Sequence, residues 1–391
     1  MSDEAYVNGV GSSLSMDRSL SIEDLVCEVA TNALSDAGLG LDEISAIFFS
    51  NSLSGILDGQ ASIRGQAWLY ALRPERVPIF NIENAGAGGA TAVAMGRNWV
   101  LAHERPVLVI GAEKMAGRNL TDLNKIMEPK LALDATNSKN ALGCDTSFQT
   151  TIQIPQNSLR VAREMLHQGT PVEHFAVVAE KNYKNAALLQ SNSRPLYSKE
   201  EILCSPEISY PFTKLMCASF ADGAAALVLS NIKQNSSPEI YGVQLKSGIQ
   251  ETGSLSNLKQ FSSSWWEKMS IGPDEIDVVE LCDFTSVDQL YQLECMGFFK
   301  EGEAGFATIS GETDLTGKIY VNPSGGLVGG GFPIGATGVL QVVETTHQLR
   351  GSAKLRQRPN ARFGVCLTLG GQIYEEPDFA SMVLLKSVQQ I

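Results

Sequence analysis

The sequence has few of the residues that build metal sites and disulfide frameworks. Seven cysteines and four histidines are spread over 391 residues, and no two cysteines form a CxxC pair. Neither residue type shows the spacing of zinc ligands, so a structural metal is not expected. Free thiols are typical of the reducing cytoplasm, which is therefore the location that we expect for this protein.

The chain also lacks the patterns that direct a protein into or across a membrane. Acidic residues occupy its start, MSDEAYVNGVG, where a secretory signal would carry basic ones. No apolar run approaches the roughly 18 residues that a membrane-spanning helix needs. These absences predict a protein without a membrane span.

Charge is sparse and mostly negative. Only 19% of the residues are charged, and the formal net charge is −13. Phosphate backbones are bound by clustered Lys and Arg, so this balance argues against a nucleic-acid partner. The chain does have a 43% hydrophobic content and 36 glycines, which fit a large α/β protein with many tight turns.

The chain contains an internal repeat. Residues 42–50 (DEISAIFFS) and 274–282 (DEIDVVELC) each follow a predicted amphipathic helix and contain the apolar run of a buried parallel strand. The two helices are predicted over about 22–37 and 256–269. Each copy continues with a Gly-rich stretch that opens a helix, then a buried strand and a closing strand. These segments lie at 84–102, 107–113 and 223–230 in the first copy, and at 322–349, 363–371 and 379–386 in the second.

This repeat predicts two halves, residues 1–234 and 235–391. A mainly parallel sheet layered by helices is expected in each half, because helix and strand signals alternate. The extra length of the first half, about 116–215, is interpreted as an insertion that caps the N-terminal half, with helices near 156–168 and 171–187. The polar run that begins at Asn235 is the predicted hinge.

Six segments carry a resemblance to a known family. They read GQASIRG (59–65), NIENAGAGG (81–89), GAEKM (111–115), CASFADGAAAL (217–227), ELCDFTS (280–286) and VNPSGGLVGGGFPIGATG (321–338). With them the sequence resembles the thiolase superfamily, in particular its sterol-carrier-protein-X type, over nearly its whole length. The resemblance implies the thiolase fold, an α/β fold of two pseudo-repeated halves.

The reactive positions depart from the family pattern. Gly86 stands where the family has its nucleophilic cysteine, at a strand-to-helix turn. Phe332 replaces the histidine of the GHP motif, and Cys282 replaces the residue that binds the thioester oxygen. Glycine has no side chain to take an acyl group, so the ordinary acyl-enzyme route is not expected.

The backbone of the site looks retained. The helix that starts near Gly86 is expected to offer free N–H groups to a thioester oxygen, and glycines allow close approach. The residues that we expect to line a substrate site are Asn84, Gly86, Asn322, Ser324, Gly325, Phe332 and Gly370.

Two neighbouring residues are the candidates for replacement chemistry. Cys282 is either a nucleophile at a strand end or a buried apolar cysteine. Asp283 is either a general base or the cap of a helix that begins near Thr285. Cys144 and Cys217 are interpreted as structural.

Three functions remain open at this point. The first is an enzyme of the acyltransferase superfamily that acts on an acyl thioester, acyl-CoA or carrier-bound, by non-standard acyl-transfer or C–C bond chemistry. The second is a catalytically silent subunit that binds a thioester or lipid, or serves as a scaffold. The third is a retro-aldolase with a small OB-fold partner. No cofactor is expected besides coenzyme A as part of a substrate. The resemblance also implies a homodimer that pairs the N-terminal sheets edge to edge, or a complex with an active relative.

Overall fold

The structure, a computed structural model, describes residues 4–15, 20–116, 155–189, 195–234, 236–247, 256–371 and 379–388. The helices in these ranges are α1 (Ile22–Ala37), α2 (Ser54–Leu57), α3 (Arg64–Trp68), α4 (Gly88–His103), α5 (Gln156–His167), α6 (Val172–Ala187), α7 (Lys199–Leu203), α8 (Ser256–Met269), α9 (Ser286–Cys295), α10 (Ala304–Ile309), α11 (Gly326–Gly330) and α12 (Thr337–Arg350). The strands are β1 (Tyr6–Ser15), β2 (Ala46–Ser50), β3 (Ile79–Ile82), β4 (Val107–Lys114), β5 (Glu207–Ser209), β6 (Phe212–Thr213), β7 (Asp222–Ser230), β8 (Glu239–Ser247), β9 (Val278–Glu280), β10 (Tyr320–Val321), β11 (Phe363–Gly370) and β12 (Phe379–Lys386).

Local sequence accounts for the ends of α1. Ser21 caps its start, because the Asp24 amide donates to Ser21 Oγ at 3.0 Å and the Asp24 carboxylate accepts from Ser21 in return. Gly38 ends the helix in the left-handed region, with a φ of 68°, where glycine avoids the steric cost of a Cβ atom. The helix predicted over 22–37 is confirmed.

The repeat in the sequence corresponds to two sheets with the same strand order. The first runs β3-β2-β4-β7-β1 and the second β10-β9-β11-β12-β8. In each sheet four strands share one direction, and the last strand in sequence, β7 or β12, runs against them. One bridge between Tyr6 and Glu239 joins the two sheets into a continuous ten-stranded sheet. The division of the chain at 234 and 235 stays a prediction, and Asn235 lies outside the described residues.

Alternating side chains divide the molecule into five layers. Along β4, Leu108 and Ile110 pack under α1 and α3, while Val107 and Val109 point to the opposite face of the sheet. That opposite face meets α4 and α12, which lie between the two sheets. The far face of the second sheet packs on α5, α6, α8 and α9. Helices therefore cover both faces of each sheet.

The insertion packs on the second half, not on the first half that it was predicted to cap, because the buried side chains of α5 and α6 share a core with β9 and α9. Its helices α5 and α6 fall where the sequence predicts them, and α6 contacts both α9 and α11. Residues 117–154 of the insertion, with Cys144, lie outside the described residues, whereas Cys217 is buried in the core as expected. In the parts of the chain that the structure covers, every helix is too short or too polar to span a lipid bilayer.

Candidate functional site

Four segments meet at the carboxyl ends of the strands that run in the common direction. They are the turn 83–88 between β3 and α4, residues 281–285 after β9, the glycine-rich segment 322–333, and residues 369–371 at the end of β11. Ligand-binding loops collect at this edge of open α/β sheets. The segments singled out in the sequence therefore lie together in space.

Gly86 is buried in a short 3-10 turn (Ala85–Ala87) directly before α4. A Cβ atom at this position would lie 2.5 Å from the carbonyl oxygen of Leu369 and 3.7 Å from Phe332 Cζ. The shorter separation is far inside van der Waals contact. The obstacle is backbone rather than a movable side chain, so a cysteine does not fit here unless the backbone shifts.

Gly370 shows the same close approach from the opposite strand. A Cβ atom on Gly370 would collide with the carbonyl oxygen of Asn84 and lie 2.8 Å from the Ala87 amide nitrogen. The Asn84 side chain is fixed to α4, because its Nδ2 donates to Thr91 Oγ1 at 3.1 Å. Glycine at both 86 and 370 thus lets the end of β11 press directly against the turn.

The turn before α4 uses more of its amides internally than the sequence predicts. The Ala85 amide donates to Glu83 Oε1 at 2.7 Å, and the Ala87 amide donates to the Asn84 carbonyl at 3.0 Å. The Gly88 amide donates to the Ala85 carbonyl. The expectation of free N–H groups at this terminus is therefore wrong for these three amides.

Phe332 fills the space in front of Gly86 with its ring. It belongs to an apolar cluster of buried residues, which comprises Met115, Ala218, Phe220, Cys282, Leu327, Phe332 and Ile334. Its ring centroid lies 6.1 Å from that of Phe220 and 5.6 Å from that of Phe284. Its amide donates to the Ser219 carbonyl at 2.8 Å, which holds the backbone in place. Phe332 is thus packed on several sides.

Cys282 is a buried thiol in this apolar cluster. Its Sγ lies 3.9 Å from the Leu369 carbonyl oxygen, and its backbone bonds to the Gln292 side chain on both its amide and its carbonyl. Burial raises the pKa of the Cys282 thiol to about 12. A thiol with that pKa is protonated at neutral pH and is a weak nucleophile. A catalytic role for Cys282 stays a prediction.

Asp283 is fully buried and holds the start of α11. Its carboxylate accepts from Asn182 Nδ2 and from the Leu327 amide, each at 2.7 Å. Burial raises the pKa of Asp283 to about 8. Asp283 does not cap the next helix, because Thr285 is the N-cap of α9 and donates to Asp288. Its role as a general base stays a prediction.

Asn322 and Gly325 position the glycine-rich segment. Asn322 Oδ1 accepts from the Leu281 amide at 2.7 Å, and its carbonyl accepts from Asn185 Nδ2 at 2.9 Å. Gly325 packs on α6, where an added Cβ atom would lie 2.5 Å from Ala186 Cβ. Contact of either residue with a substrate stays a prediction.

Glu280 is a residue of this site that the sequence analysis missed. It is 1% exposed, and its two carboxylate oxygens accept from the Ser324 amide at 2.9 Å and from Ser324 Oγ at 2.7 Å. Burial, and then the charge of Glu344, raise the pKa of Glu280 to about 8. The available signal in the sequence is an acidic residue at the end of a buried apolar run.

Glu280 lines a cavity of about 140 Å³, here called the polar cavity after the charged side chains that it contains in an otherwise largely apolar wall. It lies between α12 and the glycine-rich segment, and its lining includes Glu280, Ser324, Gly331, Gln341, Glu344, His347 and Arg356. Glu344 forms an ion pair with Arg356 and accepts from Gln348 Nε2 at 3.0 Å. The polar cavity therefore contains a satisfied ion pair beside a second carboxyl group.

Glu113 is a second buried carboxylate that the sequence analysis did not assign to the site. Its oxygens accept from the amides of Ser52 at 2.9 Å, Leu53 at 3.1 Å and Gly335 at 3.0 Å. Burial raises the pKa of this carboxyl. Glu113 thereby ties the loop after β2 to the turn that precedes α12.

Comparison with known proteins places these features in a family context. The model described as "Thiolase, N-terminal domain" matches residues 4–194, and the one described as "Thiolase C-terminal domain-like" matches residues 251–383. Sterol carrier protein 2 of Oryctolagus cuniculus is 30% identical over 89% of this chain, which spans 65% of the length of that relative. Acetyl-CoA acetyltransferase of Methanothermobacter thermautotrophicus is 28% identical, with 90% of this chain and 92% of the relative covered.

Solved structures share the fold over the full length. An "Ltp2-ChsH2(DUF35) aldolase" aligns with a TM-score of 0.77 at 20% identity and covers 99% of both chains. Acat5 thiolase from Ascaris suum, in complex with coenzyme A, aligns with a TM-score of 0.67 at 17% identity and covers 98% of this chain and 100% of that one. The fold expected from the sequence is confirmed.

A methyl group at position 86 is expected to destabilise the protein. Gly86→Ala should lower the free energy of unfolding by about 1–3 kcal/mol, because the Cβ atom meets the Leu369 backbone. Gly272→Ala is the matched control, since a Cβ atom there has no neighbour within 4 Å, and it should change stability by less than about 0.5 kcal/mol. Urea unfolding measures both. Equal stability of the two variants would contradict the packing described for Gly86.

Replacement of Asp283 tests the contribution of its hydrogen bonds to stability. Asp283→Ala leaves the Leu327 amide and Asn182 without an acceptor, at a cost of about 1–3 kcal/mol for each buried group. Asp283→Asn retains an acceptor for Leu327 and should cost clearly less. Because the folded-state pKa is raised to about 8, the parent's advantage over Asp283→Asn should shrink as pH rises from about 4 towards 8. Urea unfolding at pH 6 and pH 8.5 checks both expectations, and a gap that widens with pH would refute them.

Proposed function

Since this chain belongs to the thiolase superfamily, we propose that it binds an acyl thioester and acts on it without forming an acyl-enzyme. One observation carries the second part of this proposal. The Leu369 carbonyl oxygen occupies the space that the first atom of a side chain at Gly86 would need. This contact supports the proposal, because the position that the resemblance assigns to the nucleophile has neither a thiol nor room for one.

Cys282, the nearest alternative nucleophile, does not change the proposal that no acyl-enzyme forms. The Cys282 thiol lies in the apolar cluster, and its pKa is raised to about 12. Among the described residues, the charged groups that shift the pKa of the Cys282 thiol are Asp283 and Asp288, and both of these negative charges raise it. Low-pKa catalytic thiols need the opposite environment.

An acyl thioester is the substrate class that the relatives support. One relative is named an acetyl-CoA acetyltransferase, and one structural neighbour is a thiolase in complex with coenzyme A. We extend this class to the present chain as acyl-CoA or a carrier-bound acyl group. A silent subunit that binds the thioester without turnover is an outcome that the experiment below detects.

Retro-aldol cleavage of a C–C bond, with a small OB-fold partner, is the second candidate. The neighbour with a TM-score of 0.77 is an aldolase that contains ChsH2(DUF35) beside Ltp2. Retro-aldol cleavage needs a base and an acceptor for enolate charge but no acyl-enzyme, which suits a closed position 86. The base is not a tyrosine at the two equivalent positions, since they are Cys282 and Phe332 in this chain.

A homodimer is the assembly that we propose. In the described structure β3 is an edge strand, and it pairs only with β2. Phe80 on this strand is 41% exposed and stacks on Phe48 at 5.2 Å between ring centroids. Unpaired edges with apolar side chains readily pair with another strand. Pairing of two β3 strands would cover this edge.

Incubation with acetyl-CoA and a β-hydroxyacyl-CoA tests the proposed function. We expect saturable binding by calorimetry and no increase in the intact mass of the protein. Cys282→Ala should bind equally well, because the thiol makes no covalent bond. An acyl adduct that is absent from Cys282→Ala would overturn the proposal. Formation of a shorter acyl-CoA and a carbonyl product from the β-hydroxyacyl-CoA would identify the lyase. Binding of the thioester without any product would identify the silent subunit.

A charge on the β3 edge should abolish the homodimer. Phe80→Asp places a carboxylate on the face that pairing would bury, and we expect it to elute as a monomer at micromolar concentration. Ile232→Asp is the matched control, because Ile232 is 64% exposed and lies outside β3. Size-exclusion chromatography with light scattering measures the mass of each variant. A parent that is monomeric, or a Phe80→Asp variant that stays dimeric, would rule out this interface.

A further inference from the structure

Several carboxyl and imidazole groups described for the site line the polar cavity, whereas Cys282, Asp283 and Glu113 lie outside its lining. The apolar cluster around Phe332 consists of carbon side chains, one methionine and the Cys282 thiol. The polar cavity, by contrast, is lined by Glu280, Glu344 and His347. The polar cavity therefore offers candidate groups for proton transfer in addition to the predicted base Asp283.

The polar cavity adjoins the predicted site. Gly331 and Pro333, which flank Phe332, line it, and Leu281, which precedes Cys282, lines it as well. Thr337 and His347 of α12 both contribute to its wall. These two residues are ten positions apart, which on an α-helix is a rise of about 15 Å. The cavity is therefore an elongated space that runs along α12.

The mouth and the floor of the polar cavity differ in exposure. Ser12 on β1 is exposed and lines the cavity, whereas Glu280, Gln341 and Glu344 are buried. Its volume of about 140 Å³ is close to the roughly 150 Å³ cavity that accommodates benzene in another protein. The space therefore suits a short acyl group rather than a long fatty chain.

Glu280 is held in a fixed orientation at the floor. Ser324 engages both of its oxygens, and the Ser324 Oγ in turn accepts from the Gly326 amide at 3.1 Å. Several titratable or charged groups interact electrostatically with Glu280, either directly or through Glu344. They are Glu344, His347, Asp283, Lys181, Tyr320, Cys366 and Arg356. Glu344 and Arg356 are paired with each other, and Glu280, which Ser324 engages, lines the cavity beside them.

We propose that the acyl part of the thioester enters the polar cavity and that Glu280 is the general base which removes and returns a proton at its α-carbon. This inference rests on the proposed function, since it requires that the chain binds an acyl thioester. It names the catalytic residue and limits the substrate to a short acyl group.

The proposed step is balanced and redox-neutral. The Glu280 carboxylate takes the α-proton, and the electron pair of the C–H bond passes into an enolate whose charge lies on the thioester oxygen. Arg356, a cation that lines the cavity, is the group that would face this negative charge. Return of the proton from the Glu280 carboxyl group to the α-carbon restores both partners.

The same residue can serve C–C cleavage of a β-hydroxyacyl thioester. The Glu280 carboxylate then takes the hydroxyl proton, and the bond between the α- and β-carbons breaks to give a carbonyl product and a thioester enolate. Glu280 delivers that proton to the α-carbon. A carboxyl group with a pKa near 8 suits this exchange, because both of its forms are populated close to neutral pH.

Exchange of the α-protons of acetyl-CoA in D₂O tests the inference. Deuterium uptake is followed by mass spectrometry, and binding of acetyl-CoA is measured by calorimetry on the same samples. Glu280→Gln should lower the exchange rate at least about 100-fold, the usual minimum for loss of a general base. Its binding should change only a few-fold, since glutamine still accepts from the Ser324 amide.

Glu294→Gln is the matched control. Glu294 is a partly buried carboxylate that accepts from the Gly302 and Ala304 amides, outside the polar cavity, and burial raises its pKa too. Its exchange rate should equal that of the parent. Ser12→Trp at the mouth keeps Glu280 intact and should reduce both binding and exchange, which covers the case that Glu280→Gln fails to fold.

The pH profile gives an independent readout. Exchange by the parent should rise with pH and level off above about pH 8, because the carboxylate is the active form. Glu344→Gln removes the neighbouring charge that raises the Glu280 pKa, so the rise should move to lower pH. A profile that this variant leaves unchanged would argue against Glu280 as the base.

The remaining outcomes separate the two proposals. A parent that binds acetyl-CoA but exchanges no α-proton, or a Glu280→Gln variant that exchanges at the parental rate, overturns the role of Glu280 and leaves the proposed function intact. A parent that binds no acyl-CoA overturns the proposed function and this inference with it.

Discussion

The contact between the Gly86 turn and the Leu369 carbonyl is the constraint on which the rest of the site depends. It brings the end of β11 against the start of α4 and leaves no volume for a side chain at position 86. Gly370 continues the contact on Asn84, and Phe332 packs in front of it. Because packed interiors do not yield to an extra atom cheaply, this arrangement disfavours any side chain at position 86.

Buried carboxylates hold the surrounding loops. Glu113 accepts hydrogen bonds from an amide of the loop after β2 and from the Gly335 amide. Asp283 accepts from the Leu327 amide at the start of α11, and Glu280 accepts from the Ser324 amide. Each acceptor is removed from water, so the backbone amides that it satisfies would be costly to separate from it. The outcome is a rigid glycine-rich segment with apolar packing on one side and the polar cavity on the other. The proposed chemistry follows from that asymmetry.

Most of the secondary structure could be predicted from the sequence. Helix α1 and helix α8 match their predicted ranges, and strands β11 and β12 lie where the apolar runs are. The signals were local: amphipathic periodicity, Gly-rich stretches that open helices, and buried apolar runs that repeat in both halves. The same local reasoning failed for the amides before α4, because their acceptors, such as the Glu83 side chain, are set by the shape of the turn.

The sequence by itself determined the repeated α/β architecture and the family, and it singled out positions 86, 282 and 332 as predicted departures from the family pattern. Periodicity and glycine placement carry this information, since both act over a few residues. Only the tertiary structure decided that Leu369 covers Gly86, that Cys282 lies in an apolar environment, and that Glu280 faces a cavity beside Glu344. These facts depend on contacts between residues that are dozens to hundreds of positions apart. No local sequence pattern encodes which buried carboxyl group will be fully packed and which will line a cavity.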